Sequence, residues 1–217
     1  MTIRSVVLDV GETLIDESRI WWRWSKRLGV TPLTFMGALG AMAATGGSYR
    51  QAFELVAPGR DISAELAAWK KDDPDGLREN FDADDLYPDV RSSLAAMRDA
   101  GYQVIIAGNQ PIQAYDQLAA MDLPHDGIYT SAGWGVSKPD PEFFAKVLAV
   151  AGHAPDEILY VGDRVDNDVL PALAAGMKTA LLRRGPWGYL HARRDDAAKA
   201  DMIVDSLTEL AERLHRA

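Results

Sequence analysis

Four charged side chains stand out by where they fall. Asp9 closes the largely apolar run Ile3 to Leu8, Asp163 and Asp168 follow the run Glu157 to Val161, and Lys138 sits in Val136-Ser137-Lys138-Pro139-Asp140-Pro141. Apolar, β-branched runs of that length read as strands buried on both faces. Residues just past the carboxyl ends of parallel strands share one edge of the sheet, where ligands bind. Three carboxylates gathered there repel one another. They are hard oxygen donors of the kind Mg²⁺ prefers, so Asp9, Asp163 and Asp168 read as a Mg²⁺ site. Pro139 and Pro141 stiffen the chain after Lys138, which adds a compact positive charge suited to phosphate. Gly108-Asn109-Gln110 ends another strand in a turn whose N–H groups can face an anion. A carboxylate nucleophile, a divalent cation and a lysine are the parts of a phosphoryl-transfer site, where positioning and charge neutralisation do the work.

Such a site needs a sheet to carry it, and the chain alternates accordingly. Strands are expected at Gln103–Ala107, Gly127–Thr130, Glu157–Val161, Lys178–Leu182 and Met202–Val204. Helices are expected at Val90–Ala100, Ile112–Met121, Pro141–Ala151, Asn167–Ala175 and Leu207–Leu214. Alternation with short links implies right-handed crossovers and a parallel sheet covered on both faces. Between the first strand and this series lies a stretch with helical periodicity alone, at Ser18–Leu28, Thr31–Ala44, Tyr49–Val56 and Ile62–Lys71, with turns at Gly29, Gly46-Gly47, Pro58-Gly59 and Asp72–Gly76. The expected fold class is α/β, a doubly wound, Rossmann-like parallel sheet core (residues 1–16 and 86–217) with an inserted all-helical cap (17–85).

Composition bounds the partners. The 217 residues carry a net charge of −9, which repels polyphosphate backbones and argues against nucleic acid. A small anionic metabolite would need a local positive centre, which a metal ion or Lys138 would supply. With no cysteine, disulfides and thiolate chemistry are absent. No apolar run approaches the roughly 20 residues of a membrane span, and the start shows no signal-peptide pattern, so a cytoplasmic protein is expected. Oligomeric state is not legible.

The order of these segments, with Lys138-Pro139-Asp140-Pro141, the Gly162-Asp163 turn, Asn167-Asp168 and the trailing Ala174-Ala175-Gly176-Met177, resembles the haloacid dehalogenase superfamily, in particular members whose helical cap lies between the first and second motifs. The resemblance spans essentially the whole chain. It implies a Mg²⁺-dependent phosphatase working through an aspartyl-phosphate. Asp9 would be nucleophile and metal ligand, Gly11 would lend its carbonyl to the metal, and Lys138 would bind the phosphoryl group and steady Asp9. Asp163 would be the downstream metal ligand, supported by Asp168; Asp166 is off the pattern and is expected to be exposed. Two positions depart from the family. Gly11 stands where the phosphatases have a general acid–base aspartate, whose loss typically costs about 10²–10⁴ in rate. Gly108 stands where they present a hydroxyl, and losing such a donor costs roughly 3–4 kcal/mol. Glu12 is adjacent to the first position; the amides of Gly108 and Asn109, or the Asn109 side chain, are available at the second. These departures keep two alternatives open, a metal-independent dehalogenase-type hydrolase and a binding protein that has lost turnover.

Elsewhere the bland readings lead. Trp21, Trp22 and Trp24, with Ile20 and Leu28, form a stripe that packs cap helices or lines a pocket. Arg183–Gly188 reads as a solvated turn, or as a contact to substrate. The four histidines have no metal-ligand spacing among themselves and read as structural or exposed.

Overall fold

The structure is a computed structural model that describes residues 2–73 and 80–216. Positions 74–76 of the turn expected at Asp72–Gly76 lie outside the described residues. The chain divides into two compact units, Glu17–Phe81 on the one hand and Met1–Asp16 with Asp82–Ala217 on the other. The sequence placed the return to the second of these at 86. The structure makes it at Asp82, because the Asp16 N–H donates to the Asp85 carbonyl (2.8 Å) and the Tyr87 N–H to that of Leu14 (3.0 Å).

Unit Glu17–Phe81 is helical: α1 (Ser18–Leu28), α2 (Pro32–Thr45), α3 (Tyr49–Val56) and α4 (Ile62–Asp72). Its punctuation is local. Thr31 caps α2 by accepting from the Thr34 N–H with Pro32 in the first turn, Asp61 caps α4, and α1 ends on left-handed Gly29. The interior is aromatic. Trp24 meets Phe53 and Trp69 edge-on at 4.8 and 5.2 Å between centroids, and Trp21 meets Phe35 at 5.8 Å. Each such pair adds about 0.5–1.5 kcal/mol beyond the area it buries. The expected stripe is narrower than it looked, since Trp22 is 48% exposed with its ring toward Lys26. Among the described residues no single helix is long and apolar enough to cross a membrane; α1 and α2 qualify together by length and composition but are bent by 115° at their break.

The other unit is a six-stranded parallel sheet. In chain order it comprises β1 (Ser5–Leu8), α5 (Val90–Asp99), β2 (Gln103–Gly108), α6 (Gln113–Ala120), β3 (Gly127–Thr130), α7 (Ser131–Trp134), α8 (Pro141–Ala151), β4 (Ile158–Gly162), a π-helical turn Val165–Val169, α9 (Leu170–Ala174), β5 (Lys178–Leu182), α10 (Gly185–His191), β6 (Met202–Val204) and α11 (Leu207–His215). Short 3-10 turns at Ala83–Asp85, Pro155–Glu157 and Asp195–Lys199 complete it. The strand order is β3-β2-β1-β4-β5-β6. The chain runs outward from β1 through β2 to β3 and then returns to β4 on the other side, so the order reverses at β1 and opens a crevice at the strand ends there. Leu8 pairs with Ile106 and with Val161, which sets the carboxyl ends of β1, β2 and β4 level. Phe143, Phe144 and Val147 of α8 pack with Val7, Ile105, Ile158 and Tyr160 in one buried, largely apolar cluster. Two stretches differ from expectation. The helix expected at Asn167–Ala175 begins earlier as the π-turn, and Arg183–Gly188 runs into α10, with Pro186 in its first turn.

Candidate active site

Asp9 follows β1 directly, its N–H donating to the Val161 carbonyl (2.9 Å), and its side chain is almost wholly buried. The chain then folds back on itself: the N–H groups of Leu14 and Ile15 both donate to the Val10 carbonyl, and Glu12 donates to Ile15. Gly11 pairs with Ile15 in a short bridge. Glu12 takes φ +49°, a left-handed conformation uncommon for a residue with a Cβ.

Lys138 reaches Asp9 across the sheet. Its backbone is gripped at two points by the Asn109 side chain, whose Nδ2 donates to the Lys138 carbonyl (2.9 Å) while Oδ1 accepts from the Lys138 N–H (2.7 Å). The Asn109 side chain, expected as a phosphate contact, is therefore committed to the lysine. The N–H of Gln110 is likewise used, donating to Ser131 Oγ (3.1 Å). Lys138 Nζ lies 2.7 Å from Asp9 Oδ1 and 2.5 Å from Asp168 Oδ1, with its side chain fully buried. Burial alone would lower its pKa; the carboxylates of Asp168 and Asp9 overcome this and hold it well above the usual lysine value, so the ammonium stays charged. Beneath it Tyr160, fixed by donating its hydroxyl to the Ala107 carbonyl (2.8 Å), places its ring 5.4 Å from Nζ. A tyrosine at an inward position of an otherwise aliphatic strand was the one signal for it.

Asp163 and Asp168 complete the cluster. Carboxylate oxygens of Asp9, Asp163 and Asp168 lie within 4.8 Å of one another, and all three side chains are buried. Burial, then the charges of Asp168, Asp9 and Glu12, push the Asp163 pKa well above the ordinary carboxylate range. Asp168 is pushed up to about 6 by burial and by Asp9, against the pull of Lys138. Three buried acids around one ammonium leave excess negative charge that a divalent cation would neutralise, and an all-oxygen donor set of this size fits Mg²⁺. Two glycines let the cluster close. A Cβ at Gly162 would strike the Asp168 carboxylate, and one at Gly108 would strike Asp9 Oδ1. Asp166 is not free in solvent as expected: it is half-buried and accepts from Arg164 Nε (3.0 Å) and Nη2 (2.8 Å).

Several residues that hold these turns were not legible as functional. Arg184, expected in a solvated or substrate-facing turn, is 7% exposed. Its Nη1 donates to the Thr13 carbonyl (2.7 Å), its Nη2 pairs with Asp89, and its guanidinium lies 4.2 Å over the Tyr87 ring. Tyr87 in turn donates its hydroxyl to Glu12 Oε2 (2.5 Å), which turns that carboxylate toward Tyr87. Arg183 pairs with Asp205 instead.

The family model for haloacid dehalogenase-like hydrolases matches residues 3–176. The chain belongs to the family of haloacid dehalogenase-like hydrolases. A glyceraldehyde 3-phosphate phosphatase from Methanopyrus kandleri is 32% identical over 129 residues, covering 58% of this chain and 55% of that protein. A phosphoserine phosphatase from Thermus thermophilus is 33% identical over 134 residues, covering 59% of this chain and 52% of that protein. The chain thus spans about half the length of the curated relatives it matches. A haloacid dehalogenase-like hydrolase from Bacteroides fragilis shares the fold with a TM-score of 0.72 at 20% identity, covering 96% of this chain and all of that one.

Proposed function

We propose that this hydrolase is a Mg²⁺-dependent phosphatase of small phosphate monoesters, acting through an aspartyl-phosphate on Asp9. The observation that carries the reading is the meeting of Asp9 with Lys138 at 2.7 Å inside a cluster completed by Asp163 and Asp168. With Oδ1 engaged by Lys138, the other oxygen of Asp9 attacks phosphorus, the P–O bond to the leaving group breaks, and the departing alkoxide takes a proton from solvent to leave as the alcohol. Water then cleaves the acyl phosphate, releasing inorganic phosphate and restoring the Asp9 carboxylate. Lys138 balances charge on the transferring group, a role in which a preorganised donor is worth about 10²–10³ in rate. Mg²⁺, when held by Asp9, Asp163, Asp168 and the Gly11 carbonyl, would supply Lewis-acid neutralisation of the phosphoryl oxygens. The main-chain N–H groups at Gly108 and Asn109 remain the candidates for a further phosphate contact. Relatives named as phosphatases of three-carbon phosphate esters support a small anionic metabolite as substrate, and a cytoplasmic setting belongs to the same proposal. The metal-independent dehalogenase alternative leaves the mutual repulsion of Asp163 and Asp168 unanswered.

The test is hydrolysis of an aryl phosphate and a panel of phosphorylated metabolites with and without Mg²⁺, beside Asp9→Asn. Mg²⁺-dependent turnover that the variant loses is expected; turnover equal in both would remove Asp9 from the chemistry.

A further inference from the structure

The carboxylates of Asp163 and Asp168 are separated by a stretch whose far end is a π-turn. The Val169 N–H donates to the Arg164 carbonyl (3.2 Å), the Asp168 N–H to the same oxygen (3.0 Å), and the Arg164 N–H to Asp168 Oδ2 (3.0 Å). The first N–H of a helical turn has no partner inside it and must find one elsewhere. That of Val165 donates to His191 Nδ1 at 3.0 Å, from the last residue of α10. His191 is 1% exposed.

A main-chain N–H can only donate, so Nδ1 must offer its lone pair and the ring proton belongs on Nε2. An imidazolium would instead present a second N–H to the Val165 N–H, donor facing donor. The charged groups around the ring pull both ways, the two acids toward that form and the two arginines against it. From the turn come Asp166, whose Oδ1 lies 3.8 Å from Nδ1, and Arg164; from the stretch after α10 come Arg194 and Asp196. Each acid is already bound by its own arginine, Asp166 by Arg164 and Asp196 by Arg194, the latter through Nε at 2.9 Å and Nη2 at 2.6 Å. Nε2 itself is buried with no hydrogen-bond partner among the described residues.

We propose that His191 is a positioning residue for the Asp163–Asp168 turn: in its neutral form, with Nδ1 bare, it holds the Val165 N–H and thereby the spacing of the two carboxylates, and protonation releases the turn. The consequence for activity rests on the phosphatase reading above; the hydrogen-bond role does not. Burial, and then the two arginines against the pull of Asp166, set the His191 pKa below its ordinary value. A lowered base contributes stability that is complete above the unfolded histidine value of about 6.5 and is lost as pH falls through the folded one.

Long-range ¹H–¹⁵N spectra of the whole chain read the ring directly. At about pH 7.5 His191 is expected as the Nε2–H tautomer, with the Val165 amide shift and the ring titrating together toward acid. A protonated Nδ1 at that pH, or an amide indifferent to the ring, overturns the proposal. His191→Asn keeps an acceptor near the Nδ1 position and cannot titrate, whereas His191→Leu has no acceptor. Against Mg²⁺ alone, measured calorimetrically, the leucine variant is expected to bind about tenfold or more weakly, as for other partners that orient ligands, and the asparagine variant within about threefold of the unsubstituted chain. From about pH 7.5 to 5.5 the asparagine variant should also lose less Mg²⁺ affinity than the unsubstituted chain, since only the carboxylates then titrate. Equal losses in the two overturn the proposal. Should the unsubstituted chain neither bind Mg²⁺ nor hydrolyse a phosphate, the functional reading fails, while the tautomer and the Val165 amide still decide the role of His191.

Discussion

The turn after β1 and the turn after β4 deliver carboxylates to the same edge of one sheet, yet the first is gripped by charge and the second by backbone geometry. Residues 10–15 are clamped by Arg184, whose guanidinium joins the Thr13 carbonyl, the Asp89 carboxylate and the Tyr87 ring. Asp89 passes the tie onward by accepting from the Leu207 N–H at the start of α11 (2.8 Å). Burial opposes ionisation of Asp89, but Arg184 outweighs it and the pKa lies below the usual value. Residues 163–169 carry their own ion pairs, Arg164 with Asp166 and Asp168 with Lys138, but at their base a π-turn and the neutral ring of His191 hold them. A turn held by a buried ion pair fails sharply when one partner is removed, because the other charge is stranded. A turn held by one N–H bond to a titratable ring fails gradually with pH.

The largest effect is expected from breaking the first clamp. Arg184→Met should destabilise the fold by about 3–5 kcal/mol in denaturant unfolding, since Asp89 is left ionised and half-buried. Replacing Asp89 by Leu in the same chain should recover part of that loss. A double variant no better than the single would mean that the Thr13 contact, not the charge pair, carries the clamp.

Lys138 joins the two turns, so removing it tests whether they act as one site. Lys138→Met should reduce Mg²⁺-dependent aryl phosphate hydrolysis by about 10²–10³, in kcat more than in KM. A loss confined to KM would make the lysine a binding group only.

The third effect belongs to the second turn and is read through pH. Asp168 has its pKa raised from 3.8 to about 6, so the folded chain binds this proton more tightly than the unfolded chain does. Its contribution is therefore greatest below about pH 4 and is lost as pH rises to about 6, a change on the order of 3 kcal/mol without Mg²⁺. Asp168→Asn should reduce that slope in the stability profile, leaving the part that Asp163, raised in the same sense, contributes. His191 works in the opposite sense, gaining as pH rises. A profile of the unsubstituted chain that rises throughout this range and is unchanged by Asp168→Asn would show that this carboxylate does not govern the turn.

The same contrast explains what could be read from the sequence. Asp9, Asp163 and Asp168 were legible because each ends an apolar strand run within a few residues, a local signal, and parallel topology then brings strand ends together. Lys138 was legible from the prolines beside it. Arg184 was not, because the carbonyl it serves is 171 residues away and an arginine before Gly185 and Pro186 has the composition of a turn. His191 lacked a signal for a different reason: its partner is a main-chain N–H, which every residue but proline has. Trp22 misled because it neighbours two packed tryptophans and only the helix geometry of α1 turns it outward.

The smallest expected effect concerns a position where likeness and geometry disagree. The family resemblance implies a hydroxyl where this chain has Gly108, and by that likeness Gly108→Ser should raise activity. Here a Cβ at Gly108 would meet Asp9 Oδ1 and would also lie 3.2 Å from the Val10 N atom and from Val10 Cγ2, and the backbone atom cannot yield as a side chain can. Asp9 would have to rotate away, and the atom displaced is the one that Lys138 holds at 2.7 Å. Overpacking of this kind costs about 1–3 kcal/mol, and here the cost falls on the nucleophile before the new hydroxyl can help. Gly108→Ser is therefore expected to lower kcat about tenfold and to cost about 1–3 kcal/mol of stability, while leaving the clamp at Arg184 in place. A gain in kcat would mean that Asp9 has a second productive rotamer, and that the turn after β1 is less tightly fixed than its ion pairs imply.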